Sequence, residues 1–97
     1  MGVAGCMAEL EWDPEKNRSN LAKHGISFEE AKAIFDGEHL SIEDEGDHDE
    51  IRERSYGLIR GLLLLCVVHT DRDGVTRIIS ARKATPSERR LYDAHIR

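Results

Sequence analysis

WDPEKNRSNLAKHGISFEEAKAIF, residues 12–35, encodes two short helices separated by one glycine. Asp13 can cap the first helix, and Pro14 sits at its first turn, where a missing N–H costs nothing. Gly25 supplies the left-handed residue on which such helices commonly end. Ser27 and Glu30 form an S-x-x-E capping box that starts the second helix. Phe28, Ala31, Ile34 and Phe35 then fall on one apolar stripe for a sheet to cover, and Gly37 stops the helix. The first helix is only weakly amphipathic, with Asn17, Asn20, Leu21 and His24 on one side, so packing has to stabilise it. Lys23 and His24 stand just before Gly25, at a helix C-terminus that favours cations.

Working outward, residues 8–12 alternate, with Leu10 and Trp12 on one face, and read as a half-buried strand. Residues 39–43 form a second strand. Asp44 to Glu50 (DEGDHDE) reads as a solvated hairpin connection, without the ligand positions or flanking helices of a calcium loop. Residues 51–59 are the next strand, with Arg52, Arg54 and Tyr56 on one face, and Arg60-Gly61 is its turn. The run LLLLCVV, Leu62 to Val68, suits a central strand covered on both faces. Asp71 to Gly74 (DRDG) signals a hairpin. Residues 75–82 are the last strand, and Thr85-Pro86-x-Glu88 caps a terminal helix anchored by Leu91 and Tyr92. The fold class is α+β: two N-terminal helices packed on a largely antiparallel sheet of four to five strands, with a C-terminal helix.

Ninety-seven residues make one domain, residues 8–97, behind a tail at 1–7 that reads as disordered. MGVAGCM is too short and not basic enough for a signal peptide, and Met7 is a second candidate start. No run is long enough to span a membrane. Cys6 and Cys66 do not make a disulfide framework; Cys66, inside the apolar run, reads as a small buried hydrophobe. A cytoplasmic location is the simplest expectation. The net charge is −5, yet residues 1–50 carry −10 and residues 51–97 carry +5. Phosphate binding needs local positive potential, which the arginine-rich second half can supply.

These motifs resemble the BrnT family of toxins from type II toxin–antitoxin modules. The resemblance rests on WDPEK with KHGISFEEA, and downstream on VVHTDRDG, TRIISARKA and SERRLYD, in that order from about Trp12 to Tyr92. It implies a compact RelE-like fold and metal-independent RNA cleavage. The implied partner is a ribbon-helix-helix antitoxin of the BrnA kind, through which alone operator DNA would be bound; the expected assembly is a homodimer or a heterotetramer. No cofactor or membrane partner is implied. One departure is the front end, since family members usually begin close to the EWD strand.

Metal-free cleavage of RNA needs a base for the 2′-OH, a cation for the charge gathering on phosphorus and an acid for the leaving oxygen. The sequence holds no CxxC or HExxH spacing, so a metal site has little support. The candidate catalytic residues are Lys23, His24, Arg54, Arg77 and Arg82, with Lys83, Arg89 and Tyr92 as RNA contacts. Each also has a plainer reading. Lys23 and His24 serve equally as helix C-cap cations, Arg77 as a salt-bridge partner, and Glu88, Arg89 and Tyr92 as capping and packing. His69 reads as structural. Arg77 and Arg82 lie five residues apart, so a regular strand points them to opposite faces unless a bulge intervenes. The competing function is a non-catalytic module that binds protein or RNA.

Overall fold

The computed structural model describes residues 9–44 and 51–96. The tail expected at 1–7 and most of the acidic connection, 45–50, lie outside them. The elements in order are β1 (Glu9–Trp12), α1 (Pro14–His24), α2 (Phe28–Ala31), β2 (His39–Asp44), β3 (Arg52–Ile59), β4 (Leu63–Arg72), β5 (Val75–Lys83) and α3 (Pro86–Ile96). They form one five-stranded sheet in the order β1-β5-β4-β3-β2.

The sheet is mixed, which corrects the largely antiparallel expectation in one respect: β1 runs parallel to β5. The chain leaves β1 through the helices and starts again at the far edge. Strands β2 to β5 then return as an antiparallel meander, which delivers β5 beside β1 in the same direction. Both tight turns use left-handed backbone, at Arg60-Gly61 (φ 55° and 67°) and Asp73-Gly74 (φ 53° and 82°). Such turns match the twist of the strands they join.

The caps form where the sequence puts them. Asp13 accepts from the Glu15 N–H at 3.0 Å, Gly25 ends α1 with φ 74°, and Ser27 accepts from the Glu30 N–H at 3.0 Å. The second helix is shorter than its apolar stripe suggests. One α turn, α2, tightens into a 3-10 segment over Lys32–Asp36. The Glu30 carboxylate pairs with Arg60.

Two cores sit on the two faces of the sheet. On the first, Ile26, Phe28, Ala31 and Ile34 pack on Ile59, Leu65, Val67, Ile78 and Ala81. Trp12 meets Phe28 edge-on at 6.0 Å. On the second, Tyr92 of α3 packs with Leu40, Tyr56, Leu64 and Cys66. The double cover that the LLLLCVV run demands thus comes from this chain's own helices. Tyr92 anchors α3 as expected, but Leu91 points outward and is 47 % exposed.

Gly57 marks the tightest approach. A Cβ built there would stand 2.7 Å from the Cβ of Ile34, with its Cγ2 at 3.2 Å and the His39 Cβ at 3.4 Å. We expect Gly57→Ala to destabilise the fold by about 1–3 kcal/mol through overpacking. Urea melts of the two proteins check this, and an unchanged midpoint would mean that the 3-10 segment slides freely over β3.

Candidate active site on the arginine face

A bulge in β5 settles which face each arginine takes. Val68 pairs with Ser80 but His69 pairs with Ile78, so Ile79 has no partner across the ladder. The extra residue resets the alternation. Ile78 and Ala81, three apart, are both buried under the N-terminal helices. Arg77, Ser80 and Arg82 consequently share the opposite face, where a regular strand would have split the two arginines.

The same face receives Cys66, Val68 and Thr70 from β4, paired with Arg82, Ser80 and Arg77. From β3 it receives Arg54 and Tyr56, which pair with Val68 and Cys66. Helix α3 covers the end near Leu40, Tyr56, Leu64 and Cys66, the strand partner of Arg82, while the rows of Arg54 and Arg77 lie beyond that cluster.

The pairing of β1 with β5 stops at Ile78, beside the bulge, where the chain turns into α1 at Asp13. The Asn20 side chain replaces the missing strand. Its amide donates to the Ala81 carbonyl at 2.8 Å and the Ile26 carbonyl at 2.9 Å, and its oxygen accepts from the Ala81 N–H at 3.1 Å. An otherwise unpaired buried stretch of backbone is thereby satisfied. Asn17 does the same for the start of α2, accepting from the Phe28 N–H at 2.8 Å.

Glu88, in the first turn of α3, gathers the site. Arg82 grips it with two bonds, Nη1 to Oε1 at 2.9 Å and Nη2 to Oε2 at 3.0 Å. The Tyr56 hydroxyl donates to Oε2 at 3.0 Å, and Arg54 Nη1 lies 3.9 Å from the same oxygen. Glu88 completes the reciprocal capping box as well. It accepts from the Thr85 N–H at 2.8 Å and donates its own N–H to the Thr85 hydroxyl at 3.2 Å.

The electrostatics follow from this packing. The Arg82 bonds, helped by the Thr85 N–H and the Tyr56 hydroxyl, hold the Glu88 carboxyl down at about 2 although burial opposes ionisation. Glu88 in turn raises the Arg82 guanidinium further. Burial, with Cys66 and Glu88 close by, pushes the Tyr56 phenol well above its ordinary range. Burial likewise raises the Cys66 thiol, against the pull of Arg82. Tyr56 and Cys66 are therefore neutral at physiological pH, and Glu88 is a fixed carboxylate.

The guanidinium of Arg82 has five N–H groups. Two go to Glu88 and one to the Lys83 carbonyl at 3.2 Å. The remaining two are left for a ligand. Arg52 and Arg54, neighbours on one side of β3, each bury an Nε with no hydrogen-bond partner. Buried donors without acceptors are rare, and here they lie beneath a cationic face.

The other expected residues are dispersed. Lys23 and His24 line a cleft beside α1 with Lys16, Asn20, Ile79 and Ser80. They reach the edge of β5 at the bulge, and no hydrogen bond or ion pair joins them to Arg54 or Arg82. Arg77 pairs with Glu11 at 2.9 Å. Lys83 and Arg89 share a cleft with Leu62, Leu64 and Pro86, and Arg89 also pairs with Asp93 at 3.2 Å. Tyr92 is 5 % exposed, which makes its ring a core anchor and not an open stacking surface.

His69 lies on the helix side of the sheet. Its Nε2 meets Ser55 Oγ at 2.7 Å, and its Nδ1 meets Asp71 Oδ1 at 3.1 Å. The order Ser–His–Asp is that of a hydrolase relay, but Ser55 is 0 % exposed and cannot meet a substrate. Glu53, His69 and Asp71 are the one group among the described residues whose His and carboxylate atoms lie close enough to share an ion, within 4.8 Å.

Sequence reading did not place Tyr56 or Glu88 at the centre of the site. The signals were present, since Tyr56 alternates onto the face of Arg52 and Arg54 and Glu88 completes a capping box. Neither pattern says that two residues 32 apart will meet.

Residues 12–88 match the model of a family described as the ribonuclease toxin BrnT of type II toxin–antitoxin systems. The crystal structure of the Brucella abortus ribonuclease toxin BrnT is similar, with a TM-score of 0.61 at 22 % identity. The match covers 81 % of this chain and 99 % of that one. At that identity the likeness shows the fold. No curated protein matches the chain.

Proposed function

We propose that this chain, which belongs to the BrnT family of ribonuclease toxins of type II toxin–antitoxin systems, cleaves RNA internally on its arginine face without a metal ion. The observation that carries this reading is the shared face of Arg82 and Arg54, which pair with Cys66 and Val68 of β4, and to which the Ile79 bulge adds Arg77. The scissile phosphate sits against the free N–H groups of Arg82 and the guanidinium of Arg54, whose Nη1 lies 3.9 Å from Glu88. Their charge offsets the negative charge that builds on the non-bridging oxygens as the 2′-oxygen attacks phosphorus.

Glu88, held at about 2, is too weak a base for a 2′-hydroxyl and acts by positioning Arg82. His24, beside Ser80 at the edge of β5, takes the 2′-OH proton, and Lys23 adds charge there. The bond from phosphorus to the 5′-oxygen breaks, that oxygen takes a proton from water, and the other end is left as a 2′,3′-cyclic phosphate. The guanidinium groups do what a metal would otherwise do. The one grouping of His and carboxylates among the described residues lies on the other side of the sheet.

The expected result is cleavage of RNA by the purified protein in excess EDTA, with cyclic phosphate ends detected by mass spectrometry. Activity lost in EDTA and restored by Mg²⁺ would overturn the mechanism. A second reading, in which the face binds RNA without cutting it, is favoured by the occupation of the Arg82 fork by Glu88. Binding with no cleavage at any pH would select it.

The family implies an antitoxin partner. In our reading it is a ribbon-helix-helix protein of the BrnA kind that alone contacts operator DNA. An acidic segment of it covers the arginine face, so that one contact both binds and inhibits. A heterotetramer built on the antitoxin dimer is the assembly this suggests. The cytoplasm, where the RNA is, is the site of action; no described helix is long and apolar enough to cross a membrane.

A further inference from the structure

Resting on the reading of this face as an RNA site, we propose that Arg77, Thr70 and Arg52 form a second phosphate site, for the phosphodiester next to the one that is cut. The three lie in one row across the sheet. Arg77 pairs with Thr70, and the pairing of Glu53 with His69, carried on by one residue, sets Arg52 opposite Thr70. The row of Ser80, Val68 and Arg54 is the next one along the same face, and Arg82, with Cys66 and Tyr56, stands in the row beyond it. The first two rows are two residues of β4 apart, about 6.7 Å. That matches the step between successive phosphates of an extended nucleic-acid strand. A lone carboxylate or free phosphate would use one row; a nucleic-acid backbone uses both.

The row has donors to spare and room beside them. The Nε of Arg52 is buried with no hydrogen-bond partner. Thr70 and Arg77 line a cleft together with Arg72, Val75 and the acidic Glu11 and Asp73. Those carboxylates, with Asp44 across from Arg52, oppose an anion. The strongest of them is Glu11, bonded to Arg77, and both side chains of that pair are about half exposed, 51 % and 47 %. An exposed pair of this kind is weakly held, so a phosphate can displace Glu11. The row exists on this face only because Ile79 is bulged out; without the bulge Arg77 would point under α1.

The test measures affinity of the whole protein for two uncleavable ligands, a thymidine dinucleotide with one phosphodiester and a trinucleotide with two. Wild type is expected to bind the trinucleotide about tenfold more tightly. Arg52→Gln and Arg77→Gln are each expected to lose most of that gain, to bind the dinucleotide as wild type does, and to lower the salt dependence of trinucleotide binding by about one released ion. Both variants are checked by circular dichroism and thermal melts; Arg77 is exposed, so one of the two tests the idea without touching the core. A wild type that gains nothing from the second phosphate overturns the proposal. So do variants that keep the gain, and variants that weaken both ligands alike, which would put the row at the cleaved phosphate. Weakened binding of the acidic antitoxin alone, with nucleotide affinity intact, would reassign the row to the partner. A wild type that shows the gain yet cuts no RNA would sink the cleavage reading and leave this site standing.

Discussion

Arg82→Ala is expected to lower RNA cleavage by about a hundredfold or more and to abolish growth arrest at equal expression. Losing one preorganised donor from a transition-state charge typically costs about 3 kcal/mol. Arg82 holds such a place, with two N–H groups not taken by Glu88 or the Lys83 carbonyl and its plane fixed by Glu88. Alanine also strips Glu88 of its main partner, so some loss of stability comes with the loss of activity. Two further variants separate the effects. Arg82→Lys keeps the charge but loses the fork, and should retain only a small part of the activity. Arg82→Ala combined with Glu88→Gln relieves the stranded carboxylate, and should recover stability without recovering cleavage. The measurements are initial rates on a defined RNA and thermal midpoints of all four proteins. A folded Arg82→Ala protein that cuts RNA at the wild-type rate would remove Arg82 from the chemistry.

What the sequence makes legible here is local. Asp13, Ser27 and Thr85 announce their helices because a cap is decided by residues within one turn. Arg60-Gly61 and Asp73-Gly74 announce their hairpins for the same reason. The double cover of β4 is visible in LLLLCVV, though not what supplies it. The parallel seat of β1 beside β5 is invisible, because no short window records which strands will be neighbours. The bulge at Ile79 is a subtler case. The pattern RIISAR fits a regular strand, and the conflict between Arg77 and Arg82 is its one trace. Asn20 looks like an ordinary polar residue on a weak helix until the end of β1 leaves Ala81 without a strand to bond. The meeting of Tyr56, Arg82 and Glu88 depends on how α3 folds back across the sheet. That return is a tertiary event, set by Tyr92 finding Leu40 and Leu64.

Glu88 carries a large expected effect on stability, and it has a pH signature. Its folded pKa of about 2 lies below the ordinary 4.5, so the folded state favours the ionised form. A depressed carboxyl contributes stability that is complete above the unfolded pKa and lost as pH falls through the folded one. The window therefore runs from about pH 5 down to about pH 2. A shift of this size corresponds to at most about 3 kcal/mol, and the side chain is still 15 % exposed, so screening leaves roughly 2 kcal/mol. Arg82 remains charged throughout that window and Tyr56 remains neutral, so the linkage is that of Glu88. Glu88→Gln is expected to melt roughly 10 °C lower than wild type at pH 7. The gap should close progressively between pH 5 and pH 2, where the wild type has itself lost the carboxylate. Glu88→Ala should fare worse at every pH, because the Thr85 N–H and the Tyr56 hydroxyl then lose their acceptor too. Parallel pH profiles for wild type and Glu88→Gln, with a constant gap down to pH 2, would show that the carboxylate is not held by Arg82 in the folded protein. The way Glu88 positions Arg82 for RNA would then need another explanation.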